Sequence, residues 1–580
     1  HARARARRVD SRHRAGPFAC FGRELMPGDR KTSSRSASPA RTTTTKASVG
    51  TTVCRYGATS ATVFEGAETG ALSSAADIAP AVERLRATFD SDKTLSLAWR
   101  VGQLQAMRRM VTEGRGELCE AMQVDLHKSA FESEATELLV LIGEIDTALA
   151  HLRSWMKPTY TDSSALNIPC WSYTQRDPLG VVLVMGAWNY PTLLTLGPVV
   201  GAIAGGNCVM IKPGAYARAS SHSIARLVLK YMDPSCVAVA EGDRSVTAAL
   251  LENRFDKICF TGSGYVGKIV AAAAAKHLTP CLLELGGKSP CIVDRSADVA
   301  HAAKRFVWGA FLNGGQTCVR PDFLLVHEAV ADAFLAQVRR CVQSFYGDAQ
   351  RTEWLGRCIN DAACVRLAAM ISGASEHVVI GGYVDKADRF IAPTILDYGS
   401  DLDRFKACEA MQDENFGPIV PAVRFKDVEQ VVEIVRGLPT GKPLALYAFS
   451  RDAAFCETIR RRTSSGALNI NDCLMHMANG ELPFGGVGAS GMGAYHGEHS
   501  FKAFTHEKAV LEKSQALDAL LTPLLDLRFP PYSPLKQRVV QLLSTRAFEL
   551  LVNLHRHTAF WLLLLAYGCY AAGLRITWAA

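Results

Sequence analysis

The chain reads as an α/β protein built on a doubly wound parallel sheet, and three observations predict it. Short apolar runs opening at Val181, Cys208 and Lys257 each end in a loop-forming residue, as strands do when they deliver a loop at their carboxyl ends. Helical stretches separate these runs, which implies right-handed βαβ units with ligands at the strand ends. The third run is followed by GSGYVG, Gly262 to Gly267, and then by an Ala-rich helical stretch. That order is the context in which a GxGxxG signature gains meaning, because the helix N-terminus then faces a phosphate.

Composition leaves room for such a fold. The 580 residues are 48% hydrophobic and 21% charged, with a net charge of +8. Much of that charge sits before Ser48, where Asp10, Glu24 and Asp29 are the acids among many Arg and Lys. No basic stripe interleaved with aromatics remains in the body to argue for nucleic acid. The 17 cysteines are odd in number and lack a close CxxC pair, which suits reduced thiols and argues against zinc.

In chain order, residues 1–75 are rich in Arg, Ser and Thr and read as a disordered or targeting extension. From Asp77 to Trp155 apolar residues recur at spacings of three and four, predicting successive amphipathic helices over one face of a sheet. The run from Val181 breaks at Gly186 and presents Asn189, Tyr190 and Pro191 in its loop. A second strand, Cys208 to Ile211, ends at Lys212, with a helix over 220–231. A third, Lys257 to Phe260, leads to Gly262 and Ser263.

The next two segments carry the chemistry. In ELGGKSP, Glu284 closes the apolar run from Cys281, and Gly286 and Gly287 let the backbone pass close to a neighbour. Glu284 can be read as a ribose ligand about 20 residues past the glycines, as a base that activates water, or as a partner of Lys288. In FLNGGQTCVRPD, Phe311 to Asp322, small and polar residues leave the sulfur of Cys318 uncovered, and Arg320 is expected to favour its thiolate.

Six motifs in order, GAWNYP at Gly186, FTGS at Phe260, ELGGKSP at Glu284, FLNGGQTC at Phe311, ENFGP at Glu414 and LPFGGVGASGMGAYHG at Leu482, resemble the aldehyde dehydrogenase superfamily. The closer likeness is to its class 3 branch, which includes fatty aldehyde dehydrogenase, over about residues 77–531. The resemblance implies a Rossmann-like nucleotide-binding domain (76–287) with a β-hairpin bridge near 160–178, an α/β catalytic domain (288–485) and a small β oligomerisation element. Residues 486–531 would return to the bridge and gate. It implies Cys318 as nucleophile, Glu284 as general base and Asn189 as oxyanion donor. Lys212, Gly262, Ser263, Gly286, Glu414 and Phe416 would hold the dinucleotide. The expected cofactor is NAD, with NADP possible because Gly214 and Ala215 stand where the family often has Ser-Glu. No metal is expected, and a homodimer is.

Residues 532–580 differ in kind. Leu535, Val539, Leu542 and Leu543 beside Lys536 and Arg538 predict an amphipathic helix, and 558–574 run 17 residues without a charge. This predicts a C-terminal membrane anchor with the catalytic body facing the cytosol, and medium- to long-chain aliphatic aldehydes as substrates. The other readings are an enzyme for short or aromatic aldehydes with the tail used only for location, a thiol esterase, or an idle NAD-binding paralogue.

Overall fold

The computed structural model describes residues 70–164, 167, 170–516, 527 and 529–546. Two parallel-rich sheets organise them. The first is six-stranded, in the order β17-β7-β6-β3-β4-β5, with β3 (Val181–Met185), β4 (Cys208–Lys212), β5 (Val237–Val239), β6 (Lys257–Gly262), β7 (Cys281–Leu285) and β17 (Gly491–Met492). β3 is buried along its whole length, as a continuous apolar run in a sheet covered on both faces must be. The chain moves outward from β3 to β4 and β5, then returns to lay β6 and β7 on the other side, so the topological switch falls between β3 and β6.

Helices α1 (Ala75–Asp90), α2 (Leu97–Glu113), α3 (Arg115–Leu126), α4 (Ala130–Ser133) and α5 (Leu139–Trp155) precede the sheet. A single π-helical turn, Glu134–Leu138, joins α4 to α5. α6 (Pro191–Ala204) is apolar on every side and wholly buried, the expected fate of a helix without a polar face. Its entry demands Gly186, since a Cβ there would lie 2.1 Å from Thr195 Oγ1. α7 (Arg218–Tyr231), α8 (Arg244–Leu251) and α9 (Gly264–Ala275) complete the βαβ units.

The second sheet has seven strands in the order β10-β13-β14-β9-β8-β15-β16. They are β8 (Pro290–Val293), β9 (Phe323–His327), β10 (Val378–Ile380), β13 (Thr394–Asp397), β14 (Ile419–Phe425), β15 (Ala445–Phe449) and β16 (Ala467–Ile470), with a small β11–β12 hairpin (Val384–Asp385, Phe390–Ile391) beside them. A three-stranded antiparallel sheet of β1 (Thr159–Thr161), β2 (Cys170–Pro178) and β18 (Thr505–Lys513) stands apart.

The pattern-derived strands begin at Val181, Cys208 and Lys257 as expected, with β4 and β6 running one and two residues further, while the helices begin earlier. α9 begins at Gly264 because Ser263 accepts the Val266 N–H as its cap. Leu72, which composition assigns to the extension, pairs through its N–H and C=O with Val239 and Glu241 beside β5. β17 is two residues long and carries no apolar pattern; Gly491 pairs with Glu284 and Met492 with Leu283 of β7. The 558–574 segment and the residues before 70 lie outside the described residues. Among those described, no helix is long and apolar enough to cross a membrane.

Candidate active site

Cys318 ends a loop that needs small residues. α10 (Val299–Phe311) runs into a turn where Asn313, Gly314 and Gly315 take φ of 55°, 60° and 73°, a left-handed run that glycine enters without steric cost. A Cβ on Gly315 would meet the Gly417 carbonyl at 2.5 Å, so the cysteine loop touches the Glu414–Gly417 loop backbone to backbone. Asn313 is held in place by its bonds. Its N–H donates to Glu132 Oε1 at 2.8 Å, and its Nδ2 donates to the Asn189 carbonyl at 2.7 Å.

The same turn joins Cys318 to the β3 loop. Asn189 is buried and its Nδ2 donates to the Gln316 carbonyl at 3.0 Å, two residues before Cys318. The Tyr190 hydroxyl and Thr317 Oγ1 share a 2.7 Å bond next to the thiol. Gln316 ties the loop outward, donating to the Arg357 carbonyl and accepting from the Ile359 N–H.

Glu284 lies within β7, 2% exposed, and neither of its carboxylate oxygens has a hydrogen-bond partner. Burial therefore pushes its pKa well above the usual carboxylate range. The Cys318 thiol is pushed up as well, first by burial and then by the charges of Glu414 and Glu284, so both carboxylates act on the sulfur. Lys288 does not pair with Glu284. It is fully buried against Asp322 and donates to the Ala410 and Asp413 carbonyls.

Arg320 corrects the sequence reading. Its guanidinium is buried, pairs with Asp322 and donates to the Ile419 carbonyl at 2.7 Å, so its charge serves a structural network, and the thiol pKa is raised by burial instead of lowered. Asp322 also accepts from the Asn415 N–H at 3.3 Å, which fixes the loop bearing Glu414 and Phe416. Phe416 has φ of 50° and meets Trp188 edge to face at 5.2 Å.

The residues expected around a dinucleotide fall into two groups. Glu414 and Gly286 are in contact: a Cβ on Gly286 would lie 1.9 Å from Glu414 Oε2, while Oε1 is buried without a partner. Lys212 ends β4, donates to the Pro213 carbonyl at 2.9 Å and has its pKa lowered to about 8 by burial. Gly262 ends β6 and Ser263 caps α9, and a Cβ on Gly264 at the start of α9 would meet nothing within 4 Å. Open space at a capped helix N-terminus and an orphaned carboxylate oxygen fit a dinucleotide with phosphate and ribose groups. Sequence reasoning missed Lys128, Glu132, Glu137 and Asp322: Glu132 bonds Asn313, Glu137 bonds Thr192 and Asp322 bonds Lys288, partners that local spacing does not reveal.

The sequence pattern of the aldehyde dehydrogenase family matches residues 61–510. The chain belongs to the aldehyde dehydrogenase family. Aldehyde dehydrogenase family 3 member B1 of Rattus norvegicus is 42% identical to it over 460 residues, 79% of this chain and 96% of the relative. Family 3 member A2 of the same organism is 41% identical over 456 residues, 78% and 92% of the two chains. Among solved structures, substrate-bound Staphylococcus aureus AldH is 36% identical with a TM-score of 0.77, covering 81% of this chain and 99% of that one. PnpE in complex with nicotinamide adenine dinucleotide is 25% identical with a TM-score of 0.69, covering 77% and 91%. This aldehyde dehydrogenase is thus an enzyme with class 3 relatives and a family that works with NAD(P).

Proposed function

We propose that this aldehyde dehydrogenase oxidises medium- to long-chain aliphatic aldehydes to carboxylic acids through a thioester on Cys318. The observation that carries the mechanism is the buried, unpartnered carboxylate of Glu284 acting on the half-buried thiol. The Cys318 thiolate adds to the aldehyde carbon, and the oxyanion takes hydrogen bonds from the Asn189 side chain and the Cys318 backbone N–H. NAD(P), when bound, supplies the hydride acceptor. Glu284, in its ionised form, removes a proton from the water that hydrolyses the thioester, and the burial that raises its pKa makes that carboxylate a stronger base. Lys212, Gly262, Ser263, Gly286, Glu414 and Phe416 would hold the dinucleotide.

NAD is the favoured cofactor on this reading. Ala215 brings no acid, yet Asp243 and Glu241 act on the Lys212 ammonium, and negative charge there disfavours a 2′-phosphate. Gly214 leaves no room for a larger residue, since its Cβ would lie 2.8 Å from the Ala187–Trp188 backbone.

The lipid-like substrate is supported by the Pro534–Leu543 helix. Leu535 and Leu542 are 72% and 60% exposed beside Lys536 and Arg538, a combination that favours an anionic membrane surface. Membrane attachment would place the catalytic body where aliphatic aldehydes collect at ~0.8 kcal/mol per buried methylene. A homodimer is part of the same reading, with β18 at the edge of the small sheet as one available surface. The deciding experiment measures NADH and NADPH formation by the full chain with hexanal and hexadecanal, alongside Cys318→Ala. Cys318-dependent NADH formation that favours hexadecanal is expected; equal rates with short and long aldehydes would sink the substrate assignment.

A further inference from the structure

Behind the cysteine loop lies a fully buried ion pair that the mechanism above does not use. Lys128 Nζ donates to Glu137 Oε1 at 2.7 Å, and both side chains are 0% exposed. The other oxygen, Glu137 Oε2, accepts the Thr192 and Leu193 N–H groups at 2.9 and 3.0 Å. Those are free donors in the first turn of α6, whose entry carries Asn189. Glu137 reaches them from within the π-helical turn Glu134–Leu138. Such turns insert one residue into a helix and recur at functional sites.

Lys128 also reaches the other side of the site. Its Nζ stands 4.0 Å over the Tyr190 ring, a cation–π contact strengthened by the full burial of Lys128. The Tyr190 hydroxyl bonds Thr317 Oγ1, adjacent to Cys318. One ammonium therefore braces the Asn189 loop through Glu137 and the Cys318 loop through Tyr190. A buried ion pair is a poor way to gain stability, because desolvation offsets most of the attraction and apolar residues of equal volume do as well. What it supplies is directional fixing of two loops that must present their donors to one oxygen.

We propose that the buried Lys128–Glu137 pair is a positioning device that sets the Asn189 amide against Cys318 for oxyanion stabilisation. This inference rests on the thioester reading above. It gives Lys128 and Glu137 no contact with substrate, and it predicts that their loss slows the chemical step without weakening cofactor binding.

The test uses the full chain carrying Lys128→Met, Glu137→Gln or Tyr190→Phe, with the parent and Cys318→Ala alongside. Turnover of hexanal gives kcat, and NADH-free protein titrated with NAD gives Kd by fluorescence quenching. Misplacing a reacting group by an ångström costs on the order of 100-fold, so the first two variants are expected to lose about 10- to 100-fold in kcat while Kd for NAD stays within about twofold. Tyr190→Phe keeps the ring over Lys128 and removes the hydroxyl link alone, and is expected to lose several-fold in kcat. It decides the matter if the charge-pair variants do not fold. Unchanged kcat in the folded variants, or parallel loss of kcat and NAD affinity, overturns the positioning role. A parent with no Cys318-dependent turnover overturns the thioester reading and this inference together.

Discussion

Glu137 and Glu284 lie equally deep in this molecule and live in opposite surroundings. Glu137 has an ammonium on one oxygen and two backbone N–H groups on the other, whereas Glu284 has no hydrogen bond on either. Burying a carboxylate is costly unless it is paired and hydrogen-bonded. The first arrangement meets that requirement and fixes backbone. The second leaves it unmet, and a fold that keeps such a group carries it for its chemistry. The contrast separates scaffold from reactive group more sharply than burial alone.

The largest effect that tests this contrast is on turnover. Glu284→Gln should lower steady-state turnover by ~10²–10⁴-fold, the usual contribution of a general base, while the first turnover of NADH persists because the thioester still forms. The same variant loses no hydrogen bond, so its thermal midpoint should not fall. Steady-state rates equal to those of the parent would remove Glu284 from the hydrolytic step.

Stability is where Glu137's region should respond instead. Lys128→Met leaves the Glu137 charge buried without its partner, which costs ~3–5 kcal/mol in comparable cases. Urea unfolding of the two variants side by side measures the difference. A Lys128→Met protein as stable as Glu284→Gln would erase the distinction drawn between the two carboxylates.

The smallest expected effect concerns acid. Phe484 is stacked between His476 and His496 at ring distances of 6.2 and 5.2 Å, with Tyr495 edge-on to His496. Glu144 lies 4.0 Å from His496 Nδ1, and, beyond burial, the charges of His476 and His499 lower the His496 pKa further. Burial lowers both His476 and His496 from 6.5 to about 4. As pH falls from 6.5 toward 4 the unfolded chain takes up protons that the folded one does not. The stability from these rings is therefore full above 6.5 and lost toward 4. The thermal midpoint should drop between pH 7 and 5, and the slope should flatten in His496→Asn. An identical slope in that variant would assign the acid sensitivity elsewhere.

Much of this protein was legible before its structure. The apolar runs at Val181, Cys208 and Lys257 and the helical periodicity from Asp77 to Trp155 became strands and helices in place, because a buried parallel strand and an amphipathic helix each write their environment into local spacing. Gly314 and Gly315 marked the loop before the cysteine as small and open, and the structure adds that they turn left-handed there.

Arg320 misled because its neighbour in sequence, Cys318, is not what its charge serves. Asp322, two residues on, pairs with it instead, and the Ile419 carbonyl accepts from it once β9 and β14 lie side by side. β17 was invisible because a two-residue strand, Gly491–Met492, is too short to show an apolar period.

The sequence by itself determined the doubly wound sheet, the cysteine loop and the set of motifs, since backbone freedom and hydrophobic period are properties of adjacent residues. Only the tertiary structure decided which buried charges are satisfied. Whether Glu284 is free, Glu137 is clamped or Arg320 is occupied depends on which groups the fold brings within the few ångströms over which a hydrogen bond acts, some of them, such as Thr192 for Glu137 and Ile419 for Arg320, tens of residues away.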